Sequence, residues 1–330
     1  MRTPLPRHTD RPRSTVTRRL EIRAADGVPL AATLFVPPNA SPVACALVGS
    51  AIGVRRARYE RFCRFLATNG IAVLTFDYRG IGDSARVPAR RSTVTLTEWA
   101  EQDMEGLVQW IGRRYPGLPL VGIGHSIGGQ LFGLMPSVDR FEALFLVGAQ
   151  RGYPNYWRGV PRAVIAAFWR LLPSIVSIFG YLPMRIAGCE PIPPRVALDW
   201  QRWGLHPDFR DATGRSQNDR WARFRGRLLS LSFEDDFFAA EGAVAALVRT
   251  YARARAQHMH FSPSDFARRD IGHSGFFAEG VCPALWDHAL EWLLRSATGV
   301  APSRAPLSFP APGDLRAQDD NVGLAAQSAL

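Results

Sequence analysis

The chain has 330 residues, of which 47% are hydrophobic and 21% are charged, and its formal net charge at pH 7 is +11. This length and composition describe an ordinary globular protein with one large α/β domain and an insertion, or with two smaller domains. All 40 basic residues are arginine, and outside residues 7–23 they are scattered. The charge therefore favours a solvated surface over a nucleic-acid-binding face, and no nucleic-acid partner is expected.

Cysteine spacing and hydropathy indicate the compartment. Four cysteines lie far apart in the sequence: Cys45, Cys63, Cys189 and Cys282. They form no Cys-x-x-Cys pair, so neither a disulfide framework nor a zinc site is predicted, and a cytoplasmic location is expected. The most apolar segment, residues 160–183, is interrupted by Arg162, Arg170 and Pro173, which predicts amphipathic or buried helices and no stable membrane insertion.

Strand and helix patterns alternate along most of the chain. Residues 1–17 form a basic arm that is predicted to be disordered, and period-two alternation around Asp26-Gly27 then predicts a β-hairpin. Apolar runs predict buried strands at residues 43–49, 71–76, 118–123 and 143–147, with helical periodicity between them. This spacing predicts a mainly parallel sheet that is covered on both faces.

The alternation stops between residues 150 and 225, where Trp, Tyr, Pro and Arg are frequent. Helices are predicted there at residues 164–172 and 175–181, and an insertion at this place is positioned to act as a lid. The core pattern then resumes with a strand at 227–233, a helix at 239–254, a strand at 258–261 and a helix at 284–294. Residues 299–330 are predicted to be a disordered tail.

Ser126 lies where an apolar strand gives way to helical spacing, in the pattern Gly124-His125-Ser126-Ile127-Gly128. The flanking glycines let the helix close against the strand and let the serine adopt a strained backbone. This pattern is typical of a nucleophile elbow, which exposes the serine hydroxyl and turns the N–H of Ile127 towards a developing oxyanion. A dinucleotide-binding loop is disfavoured because its third glycine would fall at position 127.

A serine nucleophile needs a base, and the base needs an acid partner. Asp236 follows a late strand and His273 lies in a loop after it, with Asp235 as a second candidate for the acid. Serine, acid and histidine in this order resemble the α/β-hydrolase superfamily, over about residues 18–298. The segment Asp77-Tyr-Arg-Gly-Ile-Gly-Asp-Ser is similar to a motif after the fourth strand of many such enzymes. A little-characterised bacterial branch of predicted hydrolases looks most similar in four further segments: residues 51–54, 180–183, 200–203 and 272–277.

The resemblance implies the α/β-hydrolase fold, with a mainly parallel eight-stranded sheet, helices on both faces and a helical lid insertion. The first part of the core would span residues 18–149, the lid or cap residues 150–225, and the second part of the core residues 226–298. It also implies a serine hydrolase that cleaves a carboxylic ester or related acyl compound through an acyl-enzyme, without a cofactor or metal ion.

The resemblance gives each site residue a role. Ser126 would be the nucleophile, His273 the general base and Asp236 the acid that orients His273. In related enzymes the acid is followed by two variable residues and a small apolar residue, which fits Asp236 better than Asp235. Asp235 would instead hydrogen-bond within its turn.

The oxyanion donors are less closely specified, because the sequence departs from the family at one place. The usual His-Gly after the third strand is absent, and Gly49-Ser50-Ala51 occupies its position. One donor would be the N–H of Ile127. The second would come from Ala51 or Ile52, with Ala51 preferred.

Several other side chains have two interpretations each. Six aromatic residues of the insertion would form an apolar or aromatic acyl pocket, or part of the core: Trp157, Phe168, Trp169, Phe179, Trp200 and Trp203. His125 is expected to pack near the oxyanion turn, and His258 and His260 to lie on a strand surface rather than bind a metal ion.

Other functions remain open on the same fold. The same three residues would also serve an acyltransferase, a thioesterase or a peptidase. A non-catalytic binding protein that uses its basic arm on an acidic partner is a further alternative. The expected partner is a small acyl substrate, and the sequence gives no indication of oligomeric state.

Overall fold

A computed structural model describes residues 15–38, 41–184, 188–278 and 283–299. Most of the predicted basic arm and all but the first residue of the predicted tail lie outside these ranges. The first strand begins at Val16, so the described chain is already extended inside the stretch predicted as the arm.

Within the described residues, eight strands form one sheet. They are β1 (Val16–Arg23), β2 (Pro29–Val36), β3 (Ala44–Gly49), β4 (Ile71–Phe76), β5 (Leu120–His125), β6 (Ala143–Val147), β7 (Arg227–Phe233) and β8 (Arg255–Phe261). Their order across the sheet is β1-β2-β4-β3-β5-β6-β7-β8. The predicted hairpin forms β1 and β2, which pair antiparallel, and β2 pairs antiparallel with β4. From β4 to β8 every pairing is parallel, so the carboxyl ends of these strands meet at one edge.

Helices cover both faces of this sheet. In chain order they are α1 (Glu60–Thr68), α2 (Leu96–Glu98), α3 (Glu105–Arg114), α4 (Ile127–Leu131), α5 (Gly159–Phe179), α6 (Pro194–Gly204), α7 (Asn218–Trp221), α8 (Glu241–Thr250) and α9 (Pro283–Thr298). A π-helical turn, Trp99–Met104, joins α2 to α3, so the helix predicted after β4 is one continuous run. Helices α1 and α9 share one core layer, while α3, α4 and α8 share the other. Alternate residues of the central strands enter the two layers, because successive strand side chains point to opposite faces.

Residues 150–225, called here the inserted segment, contain α5, α6 and α7. The segment packs on loops at the carboxyl edge of the sheet. The N–H of Glu190 donates to the carbonyl of Gly53 at 2.7 Å, after β3. The indole of Trp157 donates to the carbonyl of Phe237 at 3.0 Å, after β7. The inserted segment therefore contacts the loops at the carboxyl edge of the sheet.

Helix α5 differs from the prediction. Two helices separated at Pro173 were expected, but the helix runs unbroken for 21 residues with Pro173 inside it. Among the helices of the described residues, α5 is long and apolar enough, by length and composition alone, to cross a membrane. Only 22% of its most apolar stretch is buried.

Candidate active site

Ser126 occupies a sharp turn between β5 and α4. Its backbone has φ 53° and ψ −120°, a strained conformation for a residue with a side chain, and its N–H donates to the carbonyl of Val147 at 3.0 Å. The neighbouring glycines are needed for close approach. A Cβ on Gly124 would lie 2.6 Å from the backbone of α4, and one on Gly128 would overlap the carbonyl of Gly49. The turn is thus held between β3, β5 and β6.

Asp236 and His273 form a pair at the same edge. The Oδ2 atom of Asp236 lies 2.8 Å from Nδ1 of His273. The other carboxylate oxygen accepts the N–H groups of Phe238 at 2.9 Å and Ala239 at 3.0 Å. With both oxygens engaged and the residue buried, the carboxylate has a fixed orientation towards the imidazole.

The end of β6 lies between Ser126 and this pair. Val147 accepts the Ser126 N–H, and the next residue, Gly148, lies against the pair. A Cβ on Gly148 would be 3.2 Å from both Asp236 Oδ2 and His273 Nδ1. The structure therefore brings Ser126, Asp236 and His273 to one place, although within the described part of the chain the Ser126 hydroxyl makes no hydrogen bond.

The two neighbouring aspartates have different partners. Asp236 contacts the imidazole, whereas Oδ2 of Asp235 accepts the N–H groups of Ile271 at 2.7 Å and Gly272 at 2.9 Å. These two amides immediately precede His273. Asp235 thus fixes the loop that carries the histidine. The sequence predicted a hydrogen bond within the turn of Asp235 itself, and did not predict this contact with a loop 36 residues later.

A series of three hydrogen bonds, called here the relay, joins the loop after β3 to the loop of His273. The N–H of Ala51 donates to the Tyr59 hydroxyl at 2.9 Å, that hydroxyl lies 2.9 Å from Nδ1 of His125, and Nε2 of His125 lies 2.8 Å from the carbonyl of His273. A carbonyl only accepts, so Nε2 carries the proton and Nδ1 accepts from Tyr59. Burial, reinforced by the nearby His273, lowers the pKa of His125 to about 3, which keeps it neutral.

The relay changes the assignment of the oxyanion donors. Ala51 was the preferred second donor, but its N–H is already donated to Tyr59. The N–H of Ile52, the other candidate, makes no hydrogen bond within the described residues, and neither does that of Ile127. No role was predicted for Tyr59 from the sequence, so its hydroxyl is a polar group of the site that the sequence interpretation missed.

A cavity of about 990 Å³ opens beside Asp236. Its lining includes Trp157, Arg158, Phe237 and His260. Of the aromatic residues considered for an acyl pocket, Trp157 lines this cavity. Phe168, Trp169 and Trp200 pack on one another with ring centroids 4.8–5.6 Å apart, Trp203 packs on Phe209, and Phe179 is exposed.

His258 and His260 share one partner on the neighbouring strand. The Ser232 hydroxyl lies 2.7 Å from Nε2 of His258 and 2.8 Å from Nδ1 of His260. Within the described ranges, no three His, Cys, Asp or Glu side chains converge as metal ligands would. The expectation that no metal ion or cofactor takes part stays a prediction.

The sequence and the fold both resemble known hydrolases. Residues 46–181 match the family model described as serine aminopeptidase, S33. Human monoglyceride lipase is 31% identical over 94 residues, which span 28% of this chain and 30% of that protein, so less than a third of its length is matched. A soluble variant of monoglyceride lipase from Saccharomyces cerevisiae aligns with a TM-score of 0.63 at 15% identity, covering 88% of this chain and 98% of that one. The chain has the α/β-hydrolase fold.

Other solved structures agree on the fold. A thermostable carboxyl esterase from Bacillus coagulans aligns with a TM-score of 0.59 at 13% identity, covering 84% of this chain and 98% of that one. The predicted α/β-hydrolase fold, with its mainly parallel sheet and helices on both faces, is confirmed. The chain is thus similar to esterases, to a lipase and to a serine aminopeptidase family.

Proposed function

We propose that this α/β hydrolase is a serine hydrolase that cleaves a carboxylic ester, with Ser126, His273 and Asp236 as its catalytic triad. The observation that carries the proposal is the 2.8 Å contact between Asp236 Oδ2 and His273 Nδ1, formed beside a serine with a strained positive φ. The contact leaves Nε2 of His273 as the nitrogen that can accept a proton.

In the proposed reaction, Ser126 Oγ attacks the ester carbonyl while its proton passes to Nε2 of His273. The tetrahedral intermediate collapses when His273 returns the proton to the leaving alcohol, and the acyl group stays on Ser126. Water then attacks the acyl-enzyme with His273 as the base, which releases the carboxylic acid and restores the serine. Asp236 holds the imidazole in one tautomer and stabilises its charged form.

The oxyanion would accept the N–H groups of Ile127 and Ile52. Ile127 begins α4 directly after the serine, where helix N–H groups are free to bind an anion. Ile52 takes the place first given to Ala51, because the Ala51 N–H is donated to Tyr59. Such donors typically contribute about 3 kcal/mol each to transition-state stabilisation.

The substrate class rests on the relatives and on the cavity. Monoglyceride lipases and carboxyl esterases act on esters by their names, and the cavity beside Asp236 is lined by Trp157 and Phe237. We therefore propose an ester with an apolar or aromatic acyl group. A role of the inserted segment as a lid, a cytoplasmic location and the absence of a nucleic-acid partner stay predictions.

The test is labelling with a fluorophosphonate probe, which reacts with an activated serine. We expect the wild-type chain to be labelled, and Ser126→Ala and His273→Ala to lose labelling and at least about 10⁴-fold in ester turnover. Ser274→Ala is the matched control, because this serine is adjacent to His273 but has no proposed role. Unchanged labelling of a folded Ser126→Ala variant would contradict the proposal.

One observation favours a second candidate, cleavage of an amide at a peptide amino terminus. The family model that matches residues 46–181 is described as a serine aminopeptidase. The same triad would act on either bond. Turnover of aminoacyl amides by the wild-type chain, lost in Ser126→Ala and faster than turnover of esters, would favour this candidate.

A further inference from the structure

Helix α5 has an apolar stripe on the side that faces solvent. Its inner side buries four residues against the protein: Ile165, Trp169, Leu172 and Val176. On the other side Val160, Val164, Leu171 and Ile178 are 75%, 47%, 58% and 77% exposed. These four residues, called here the outer stripe, recur at helical spacing and lie roughly 135° around the helix from the buried set. The helix is therefore apolar on two opposite sides, only one of which the described protein covers.

Folding alone gives no reason for the outer stripe. Single exposed apolar residues are common, but aligned ones on one surface mark a site of interaction with a protein or a membrane. By length and composition α5 could cross a bilayer. Its inner side is packed on the protein, so the geometry fits a helix that lies in the membrane surface rather than one that spans it.

The charge around α5 favours a lipid surface of negative charge. Between residues 151 and 189 the sequence contains no aspartate or glutamate and five arginines, of which Arg151 is buried. Arg158, Arg162 and Arg170 are exposed along or beside the helix. Basic side chains next to an amphipathic helix attract anionic lipid headgroups, and each one typically raises membrane partitioning about fivefold.

The apolar surface continues towards the candidate active site. Trp157, two residues before α5, donates to the carbonyl of Phe237. Phe237 and Phe238 are both exposed, and the ring of Phe238 lies 5.5 Å from that of His273. A membrane in contact with α5 would thus lie next to the loop that carries Asp236.

We propose that the outer stripe of α5 docks this protein on the surface of an anionic lipid membrane. The helix would lie parallel to the membrane, with Val160, Val164, Leu171 and Ile178 among the acyl chains and the arginines at the headgroups. This surface is separate from the triad, so the proposal does not depend on the proposed reaction.

The test is co-sedimentation of the full chain with phosphatidylcholine vesicles, with and without phosphatidylglycerol. We expect binding that requires phosphatidylglycerol and weakens at high salt. Ile178→Asp and Val164→Asp should each lower the partition coefficient at least tenfold. Val43→Asp is the matched control, because Val43 is also 47% exposed but precedes β3, at the opposite edge of the sheet. It should bind within twofold of the wild type.

A second set of variants separates charge from apolar contact. Replacement of Arg158, Arg162 and Arg170 by glutamine should lower binding to anionic vesicles about a hundredfold. Ser126→Ala should bind vesicles as the wild type does, which keeps this test apart from the test of the triad.

Three results would overturn the proposal. One is the absence of vesicle binding by the wild-type chain. Another is equal binding by wild type, Ile178→Asp and the arginine variant, which would assign the membrane contact to another part of the chain. The third is a dimer in lipid-free sedimentation velocity that Ile178→Asp dissociates, without vesicle binding, which would make a second copy the partner of the outer stripe.

Discussion

Adjacent aspartates divide two tasks at the candidate site, and their amide variants should separate them. Asp236→Asn should lower kcat for a soluble ester about 10⁴-fold, because an amide can hold the wrong imidazole tautomer. Asp235→Asn keeps an oxygen that accepts the Ile271 and Gly272 N–H groups, so we expect a loss of less than about tenfold. The measurement is kcat for both purified variants. A larger loss for Asp235→Asn would reverse the assignment.

The neutral state of His125 should make stability depend on pH. Its pKa is about 3 in the fold, against an ordinary value of 6.5, so below pH 6.5 the unfolded chain binds a proton that the folded chain does not. Stability contributed by this residue is therefore present above pH 6.5 and is lost as the pH falls. Between pH 7 and pH 4.5 the loss should be about 2–3 kcal/mol.

Urea unfolding of wild type and His125→Asn at both pH values measures this loss. Asparagine does not titrate and can still donate to the His273 carbonyl, so the variant should lack this part of the pH dependence. The difference between the two proteins removes the contributions of the other titrating groups. Equal pH dependence in both proteins would contradict the prediction.

Short sequence motifs predicted those site residues whose identity is set by the local backbone conformation. Gly124, Ser126 and Gly128 were recognisable because the strand-to-helix turn needs those residue types at that spacing. The role of Asp235 and the hydroxyl of Tyr59 were not recognisable, because their partners lie elsewhere in the chain and periodicity does not record such contacts. The preference for Ala51 as second oxyanion donor likewise could not take account of the Tyr59 hydroxyl, which accepts the Ala51 N–H.

At the scale of elements, α5 passes through Pro173 because another helix compensates. Proline has no N–H, so the carbonyl of Trp169, four residues earlier, loses its helical partner. The side-chain amide of Gln201 in α6 donates to this carbonyl at 2.6 Å. The hydrogen bond that proline removes is thus replaced from outside the helix.

A double-mutant cycle tests this compensation. Gln201→Leu should lower the free energy of unfolding by about 1–3 kcal/mol, because it leaves a half-buried carbonyl without its donor. In a Pro173→Ala background the same change should cost less than about 1 kcal/mol, since residue 173 then supplies an N–H. Chemical denaturation of the four proteins gives the coupling energy. Additive effects would show that Gln201 does not replace the missing bond.

The unbroken helix α5 could not be predicted from the sequence around Pro173. Pro173 predicted a break because proline is costly inside an isolated helix, and that expectation is sound for the local chain. The replacement donor lies in α6 and is invisible to any window around residue 173. The strands of the sheet were easier to predict, because continuous apolar runs such as residues 71–76 reflect burial on both faces.

At the scale of the whole molecule, Arg79 joins three distant parts of the chain. Its guanidinium contacts Asp103 in the π-helical turn at 2.6 Å and Asp26 in the hairpin turn at 2.7 and 2.8 Å, with Glu98 at 3.3 Å. Arg79 and Asp103 are both buried. The Arg79 guanidinium thus joins three elements: the hairpin, the loop after β4 and the run from α2 to α3.

Loss of this cation should be costly. Arg79→Met would leave Asp103 buried without its partner, so we expect the free energy of unfolding to fall by about 3–5 kcal/mol. Arg86→Met is the control, because it breaks only the exposed pair with Glu21 and should cost less than about 1 kcal/mol. Thermal or denaturant unfolding of the two variants checks both values. Similar losses of unfolding free energy in the two variants would contradict the prediction that Arg79 contributes more to stability than an exposed ion pair.

The arrangement of strands across the sheet was accessible only through the resemblance to a superfamily. Periodicity predicts that strands 43–49 and 71–76 exist and are parallel, but not that β4 lies between β2 and β3. Strand order depends on packing between segments far apart in sequence. The order of Ser126, Asp236 and His273 in the sequence therefore indicates the strand order, through the resemblance, and the hydropathy pattern does not.

Two of the attachments of the His273 loop behave as different mechanical linkages. Asp235 holds the loop by two bonds that act in parallel, so a pull on the loop is shared between them. The relay from Ala51 through Tyr59 and His125 acts in series, so it yields at its weakest bond however strong the other two are. The parallel linkage sets where the histidine rests. The series linkage would carry a displacement of the loop after β3 to the His273 carbonyl only while all three of its bonds are intact.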